Sequence, residues 1–461
     1  MRAVVTAESD VELLDGDPLG LFCVPFRLLD LGDEARVHTA VLHHSVLSGW
    51  RRTEWILGRS DILGNVSEND AISRLSAELI AEHTGLLKFF DLYERLVIGH
   101  PVADFVAGNP QDMPLPAFVS ALKKWIDPRS KDHFAYHMSD PKAVRAAARS
   151  LEGRVGVRFA LDDIALTNGA FSGLAVSLRA ICDPGDEVIY LSPPWFFYRA
   201  IIRSLGATPV RVPVDPETWD IDVAAVERAI TPRTRAILVN SPNNPTGRLY
   251  PRATLDRLAS VLEERSRRGR RIYLVSDEAY SRILFDGLRY ESPALSYAHT
   301  IVVYTYGKQL LTPGERIGYV ALPPAMPDRD RAALRGALMM AQLVTGWAWP
   351  NTILQYALGD LEDVSVDLAH LQRKRDRVVT ALKDAGYQLH VPEGTFYLLP
   401  RVPGRDDDAF LGYLNDHGVF VLPGATVEMP GTFRISLTAN DEMIDKALPV
   451  FAAAVKERVP A

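Results

Sequence analysis

From residue 162 the sequence alternates short β-branched runs with amphipathic stretches separated by turn residues, which restricts the chain to a mostly parallel sheet with crossover helices. A turn at Asn168 and Gly169 leads into a helix to about Cys182, a strand at 187–191, a second helix and a strand at 208–213. Further strands are expected at 236–240 (AILVN) and 272–275. Ile301, Val302 and Val303 read as a buried strand in the middle of the sheet. A chain of 461 residues exceeds the size at which one core usually stops growing, so two domains are expected. The fold class is α/β: a three-layer αβα large domain with a mostly parallel sheet, plus a smaller α+β domain.

The expected division is an N-terminal extension of unknown role (1–70), the N-terminal part of the small domain with a connector (71–130), a large domain (131–350) and a small C-terminal domain (351–461). A helical period is convincing only from about Asn69 to Glu94 in the N-terminal part. The C-terminal part opens on a long charged helix and continues with a helix near 407–416, strands in GVFVLP and TFRIS, and a final helix at about 440–457.

A net charge of -7 argues against a broad nucleic-acid surface, and the basic run RSRRGRR at 265–271 reads as a solvated helix end followed by a turn. Two cysteines, Cys23 and Cys182, make neither a disulfide framework nor a metal cluster and point to a reducing compartment. The adjacent His43 and His44 have no clustered acid or cysteine, so no metal site is expected. No apolar stretch is long enough to span a bilayer, and the N-terminus lacks the pattern of a secretion signal, so a cytoplasmic protein without membrane contact is expected.

Candidate chemistry gathers at the expected C-terminal ends of the strands, where open α/β sheets place ligands. Lys308 follows the 301–303 strand, near Thr305 and Gly307 and backed by Arg316. That set suits a cofactor aldehyde and its phosphate, and taken alone it suits a solvated loop equally well. Asp277 ends the 272–275 strand, with Tyr280 three residues on; a carboxylate at that depth calls for a cationic partner such as a protonated heterocyclic nitrogen. SPNNPTG is a rigid turn whose amides either bond a cofactor hydroxyl or form an Asx turn. TNGAF offers backbone N–H groups at a helix start, as many βα turns do. Trp195, after two prolines, is either core or a stacking ring. Gly108 sits in a Pro-rich connector or ligand loop, Tyr136 reads by itself as packing, and Arg434 faces either the surface or an interdomain cleft. The combination of amine, carboxylate, amide donors and arginine is what pyridoxal phosphate requires.

In NNPTG, SDEAY and GKQLLTPGER, in that order, the chain resembles the fold-type I pyridoxal-phosphate enzymes of the class I/II aminotransferase superfamily, related to aspartate aminotransferases, over about residues 95–455. The resemblance implies that Lys308 forms the internal aldimine and shuttles the α-proton of a quinonoid mechanism. It implies that Asp277 holds the pyridinium nitrogen, and that Asn244 and Tyr280 bond the phenolic oxygen. Thr305, Arg316, Ala170 and Phe171 match the phosphate ligands, and Trp195 the stacking ring. Arg434 matches the clamp for the substrate carboxylate, Gly108 the loop that closes over substrate, and Tyr136 the tyrosine reaching the phosphate of a neighbouring subunit. A homodimer with shared sites, acting on amino acids and 2-oxo acids, is the implied assembly.

Amino transfer is the implied reaction. The same residues also serve elimination or replacement, carbon-bond formation including S-adenosylmethionine chemistry, and amino-acid oxidation, and some relatives of this fold are regulators. The segment 322–350 offers no equivalent of the arginine that selects dicarboxylates; Met339, Met340, Leu343, Trp347 and Trp349 suit an apolar pocket or ordinary core and dimer packing.

Overall fold

The computed structural model describes residues 71–97, 100, 102–404 and 406–458; the extension at 1–70, with Cys23, His43 and His44, lies outside them. The described chain begins with α1 (Arg74–Leu96), capped by Ser73, then β1 (Ala103–Phe105), α2 (Pro116–Ile126) and α3 (Pro141–Val155). Asp140 caps α3 through the amides of Lys142 and Ala143, with a proline at the first turn, and Gly156 at φ 78 ends the helix.

The alternating segment follows as β2 (Ile164–Thr167), α4 (Gly169–Ile181), β3 (Glu187–Ser192), α5 (Tyr198–Ser204), β4 (Thr208–Pro213), α6 (Val223–Ala229), β5 (Thr234–Asn240) and α7 (Arg252–Arg268). It continues with β6 (Tyr273–Asp277), β7 (Thr300–Thr305), the single turn α8 (Tyr306–Gln309), β8 (Gly318–Ala321) and α9 (Asp328–Thr345). These strands form a seven-stranded sheet in the order β2-β8-β7-β6-β5-β3-β4. β8 runs antiparallel to both neighbours and every other pairing is parallel.

Both faces of this sheet are covered, which is why its central strands are apolar without a gap. Ile189, Ile237 and Leu274 pack on Leu255, Leu258 and Leu262 of α7. Their chain neighbours Val188, Leu238 and Val275 pack on Leu174 and Leu178 of α4 and Leu338 of α9. Alternate residues of one strand thus enter opposite layers, as a period of two requires.

The remaining elements are α10 (Thr352–Leu361), α11 (Leu368–Asp384), β9 (Tyr397–Leu398), α12 (Asp407–Asp416), β10 (Val419–Pro423), β11 (Phe433–Ser436) and α13 (Asp441–Arg458). Here β1 joins a second, four-stranded sheet in the order β1-β10-β11-β9. Phe105, Val421, Phe433 and Ile435 pack against Val378 and Leu382 of α11 and Phe451 of α13. The change of packing partner falls after α10 rather than at residue 351: Leu354, Ala357, Leu358 and Leu361, spaced as one helical face, pack with Phe118 and Ala121 of α2 and with α3. In the same way only β1 of the 71–130 segment enters the small sheet, while α1 and α2 pack on elements of the larger one.

The basic run at the end of α7 is met by acids. Arg265 pairs with Glu227 at 3.0 Å, Arg268 with Glu264 at 2.6 Å, Arg270 with Asp183 and Asp186, and Arg271 with Asp330 at 2.9 Å. No described helix is long and apolar enough to cross a membrane.

Candidate active site

Because β2, β7, β6, β5 and β3 run in one direction, their C-terminal ends share an edge, and each delivers a residue singled out in the sequence. Thr167, Gly318 and Thr305 lie in one cross-strand row, and Asn240 is paired with Asp277. A cavity of about 210 Å³ opens above this edge.

At one end of the cavity lies the start of α4. Gly169 has φ 82, and a Cβ there would come within 2.8 Å of an Arg316 Nη and 3.4 Å of Thr305 Oγ1, so only glycine leaves this corner open. No side chain caps α4; Asn168 instead donates to the carbonyl of Trp347 at 2.8 Å. Arg316 donates to the carbonyl of Pro313 at 2.7 Å and has no ion pair among the described residues. Burial therefore lowers its pKa with no acid to offset the cost. An uncapped helix N-terminus and an unneutralised guanidinium facing one point form an anion site, and the phosphate of pyridoxal phosphate fits it.

Lys308 stands at the centre, on α8, where Gly307 allows the loop to fold back: a Cβ there would meet the Thr312 carbonyl and Pro313 Cα at 3.2 Å. Gln309 anchors the turn by accepting from Tyr304 Oη at 2.6 Å and donating to the Glu362 and Val364 carbonyls. Lys308 Nζ lies 5.8 Å from the ring centres of Tyr280 and Phe396 and makes no ion pair among the described residues.

Beyond it Asp277, fully buried, accepts from Tyr198 Oη at 2.6 Å and from Ala279 N at 3.2 Å. Burial raises its pKa despite those bonds and the charge of Lys308. A pyridinium nitrogen would supply the missing cation. Asn240 ties this strand end to the next turn, donating to the Asp277 carbonyl at 2.9 Å and accepting from Asn244 N at 2.7 Å. Trp195 and Phe171 meet edge-on, ring centres 4.9 Å apart, on the cavity wall.

Arg434 comes from the small sheet. Its Nη1 donates to Asn244 Oδ1 at 3.0 Å and its Nη2 to the Val106 carbonyl at 2.8 Å, while Nε is buried without a partner among the described residues. With Oδ1 engaged, the Asn244 amide group keeps its N–H donors for a ligand. The guanidinium lies 4.0 Å from the ring centre of Tyr397. Burial by itself would raise the Tyr397 hydroxyl; nearby Arg434 and Lys308, with a hydrogen bond from Tyr280, bring it below its usual value. Burial and Tyr397 push Tyr280 the other way. A Cβ at Gly108 would lie 2.4 Å from the Tyr397 hydroxyl, so this loop needs glycine to pass over it.

Among the described residues, the charged side chains lining the cavity are Lys308, Arg316, Arg434 and Asp277: three cations against one carboxylate. Of the residues singled out in the sequence, Gly108, Ala170, Phe171, Trp195, Asn244, Asp277, Tyr280, Thr305, Lys308, Arg316 and Arg434 all line it. Tyr136 does not; it is 83% exposed and rests on Trp349 with ring centres 4.7 Å apart. Met339, Met340, Leu343, Trp347 and Trp349 are also outside the cavity and exposed, on the outer side of α9 and just past its end. Sequence reasoning missed Asn240, Tyr198, Tyr397, Phe90 and Phe196. Asn240, Phe196 and Tyr198 had a signal in their positions, at a strand end and one and three residues past Trp195; Tyr397 and Phe90 reach the site through tertiary packing.

A family model described as aminotransferase class I and II matches residues 100–451. A probable aspartate/prephenate aminotransferase of Thermus aquaticus is 33% identical over 371 residues, covering 78% of this chain and 92% of its own. The aspartate/prephenate aminotransferase of Thermus thermophilus is 31% identical over 361 residues, covering 77% and 91%. Among solved structures, an amino transferase from Eubacterium rectale superposes with a TM-score of 0.75 at 30% identity over 82% of this chain and 96% of its own. The Thermus thermophilus aspartate aminotransferase with maleate gives 0.71 at 29% identity over 83% and 99%.

Proposed function

Because this chain belongs to the class I and II aminotransferase family and is a pyridoxal-phosphate-dependent aminotransferase, we propose that the cavity around Lys308 is where it moves an amino group from an L-amino acid to a 2-oxo acid. The observation that carries this reading is the surplus of two cationic groups around one lysine and one buried carboxylate, with no other acid lining the cavity among the described residues. A bound phosphate and a substrate carboxylate would answer that surplus.

The cofactor supplies an aldehyde that condenses with amines and an electron-poor ring that takes up electrons when the substrate Cα–H bond breaks. The rest of the work falls to this chain's residues. Arg316, Thr305 and the amides of Ala170 and Phe171 hold the phosphate, and Asp277 keeps the ring nitrogen protonated. Asn244 and Tyr280 donate to the phenolic oxygen, and Trp195 covers the ring face. Arg434 binds the substrate α-carboxylate through its planar fork and sets the Cα–H bond toward Lys308. Lys308 Nζ takes the α-proton and returns it. Gly108 lets its loop close over the substrate. The elimination, carbon-bond-forming, oxidase and regulatory alternatives are not favoured, since the relatives matched are aminotransferases.

We further propose a cytoplasmic homodimer with shared sites. Met339, Met340, Leu343, Val344 and Trp347 are between 39% and 61% exposed, a concentration of apolar surface that a second copy would cover. The Asn168 bond to Trp347 connects that surface to the start of α4; Tyr136, exposed against Trp349, would in such a dimer be the residue that reaches a neighbour's phosphate. Mixing purified holoenzyme with single amino acids tests the reaction: the cofactor absorbance should convert to that of the amine form with release of one 2-oxo acid, and a spectrum unmoved by every donor would refute it.

A further inference from the structure

We infer that the preferred amino donor carries a bulky, uncharged, apolar side chain, selected by Phe90 of α1 and by Phe196 between β3 and α5; this rests on the reading of Arg434 as the α-carboxylate site. Phosphate takes Arg316, the substrate α-carboxylate takes Arg434, Asp277 takes the ring nitrogen, and Lys308 is committed to the aldehyde and the proton. No fifth charged group lines the cavity among the described residues. A second carboxylate on the donor would be desolvated there with no further cation of this subunit to pair it.

The wall beside Arg434 is apolar instead. Leu422 is the cross-strand partner of Arg434, so their side chains leave the same face of the small sheet and both reach the cavity. Val106, whose carbonyl accepts from Arg434, adds its side chain to that wall. Phe90 and Phe196 also line the cavity, both half-buried, with ring centres 5.9 Å apart and planes at 61°. A side chain extending from an α-carbon anchored at Arg434 therefore meets two aromatic rings and two aliphatic groups.

The two rings are held in place before any ligand arrives. Glu78 of α1 pairs with Arg203 at 2.6 Å, and Glu82 with Arg199 at 3.2 Å and with Arg203 at 3.4 Å, fastening α1 to α5. α5 begins two residues after Phe196 and carries Tyr198, which is bonded to Asp277. The aromatic wall is thereby tied to the buried carboxylate.

The test uses full-length holoenzyme with phenylalanine, leucine, alanine and aspartate as donors, and calorimetric binding of 3-phenylpropanoate against succinate. The kcat/KM for phenylalanine or leucine should exceed that for aspartate by about 100-fold or more, and 3-phenylpropanoate should bind at least about 10-fold more tightly than succinate. Phe90→Ala should cut the phenylalanine-to-alanine ratio of kcat/KM by about 10-fold or more, and Phe196→Lys should shift preference toward aspartate. Aspartate equal to or better than phenylalanine in the wild type, or succinate binding more tightly, overturns the inference while leaving the aminotransferase reading intact. A cofactor spectrum unmoved by every donor overturns both.

Discussion

Buried charge is handled in opposite ways on the two sides of α8. Behind it, Arg282 pairs with Glu362, whose other oxygen accepts from Tyr306 Oη at 2.8 Å, and Arg154 donates to Ser281 and Tyr319 close to the buried Glu278. Two cations there meet two carboxylates. In front, among the described residues, Lys308, Arg316 and Arg434 meet Asp277 alone. The rear cluster is neutral and flanks Lys308 in sequence through Tyr306 and Gln309, so it holds the lysine turn in position. The front set carries uncompensated charge, which a fold tolerates only where a ligand completes the site.

That contrast breaks if front and rear substitutions behave alike. The largest expected effect is at the centre of the front set: Lys308→Ala should lower turnover by about 10⁴-fold and abolish the visible band of lysine-bound cofactor, with little change in the urea midpoint. Retention of the band would remove Lys308 from its assigned role. Glu362→Gln in the rear cluster should do the reverse, costing about 3–5 kcal/mol in urea unfolding because Arg282 keeps its charge without a carboxylate. A midpoint unchanged by Glu362→Gln would mean that the rear pair is not structural.

Arg434→Met is the corresponding change in front. Amino-acid kcat/KM should fall by about 10²- to 10³-fold, while apo stability holds or rises because an unpaired buried charge has gone. Apo protein loaded with inorganic phosphate at ten times its dissociation constant should gain about 1.4 kcal/mol, and Arg316→Met should lose most of that gain. Equal stabilisation of both proteins would place the anion elsewhere.

The smallest effect concerns pH. The folded pKa of Asp277 is raised by burial, so its contribution to apo stability is fully present below the unfolded carboxylate value of about 4 and is lost as pH rises through the folded value. Asp277→Asn escapes that loss. Unfolding midpoints of the two apo proteins should agree near pH 4 and diverge in favour of the variant toward neutral pH; parallel curves would mean that Asp277 is not strained by burial.

The charged half of the cavity was legible in the sequence because each member sits at a fixed offset from a local pattern. Lys308, Asp277, Asn244, Trp195 and the Gly169 turn all follow a strand whose apolar run marks its end, and a parallel sheet brings those ends together whatever the details of packing. Arg434 needed more. Its strand is short and its role depends on the small sheet facing the large one, which neither periodicity nor composition specifies. Tyr397 was invisible for the same reason, since only the Gly108 loop and Arg434 meeting over it distinguish it from a core tyrosine.

The apolar half stayed open in the sequence, between a pocket and ordinary core or dimer packing, for a related reason. Met339, Met340 and Leu343 carry apolarity that local pattern cannot assign to a cavity, a core or a surface, and the structure turns them outward. The wall is instead assembled from α1, the segment after β1, the loop before α5 and β10, pieces separated by up to several hundred residues. By itself the sequence determined the alternating strands and helices, the sheet edge where the candidate residues gather and the residues that suit pyridoxal phosphate. Only the tertiary structure decided which apolar side chains line the cavity and which buried charges have no counter-ion among the described residues. Strand and helix periods are set by neighbours along the chain, whereas a pocket wall and a missing counter-ion are properties of groups that meet only after folding.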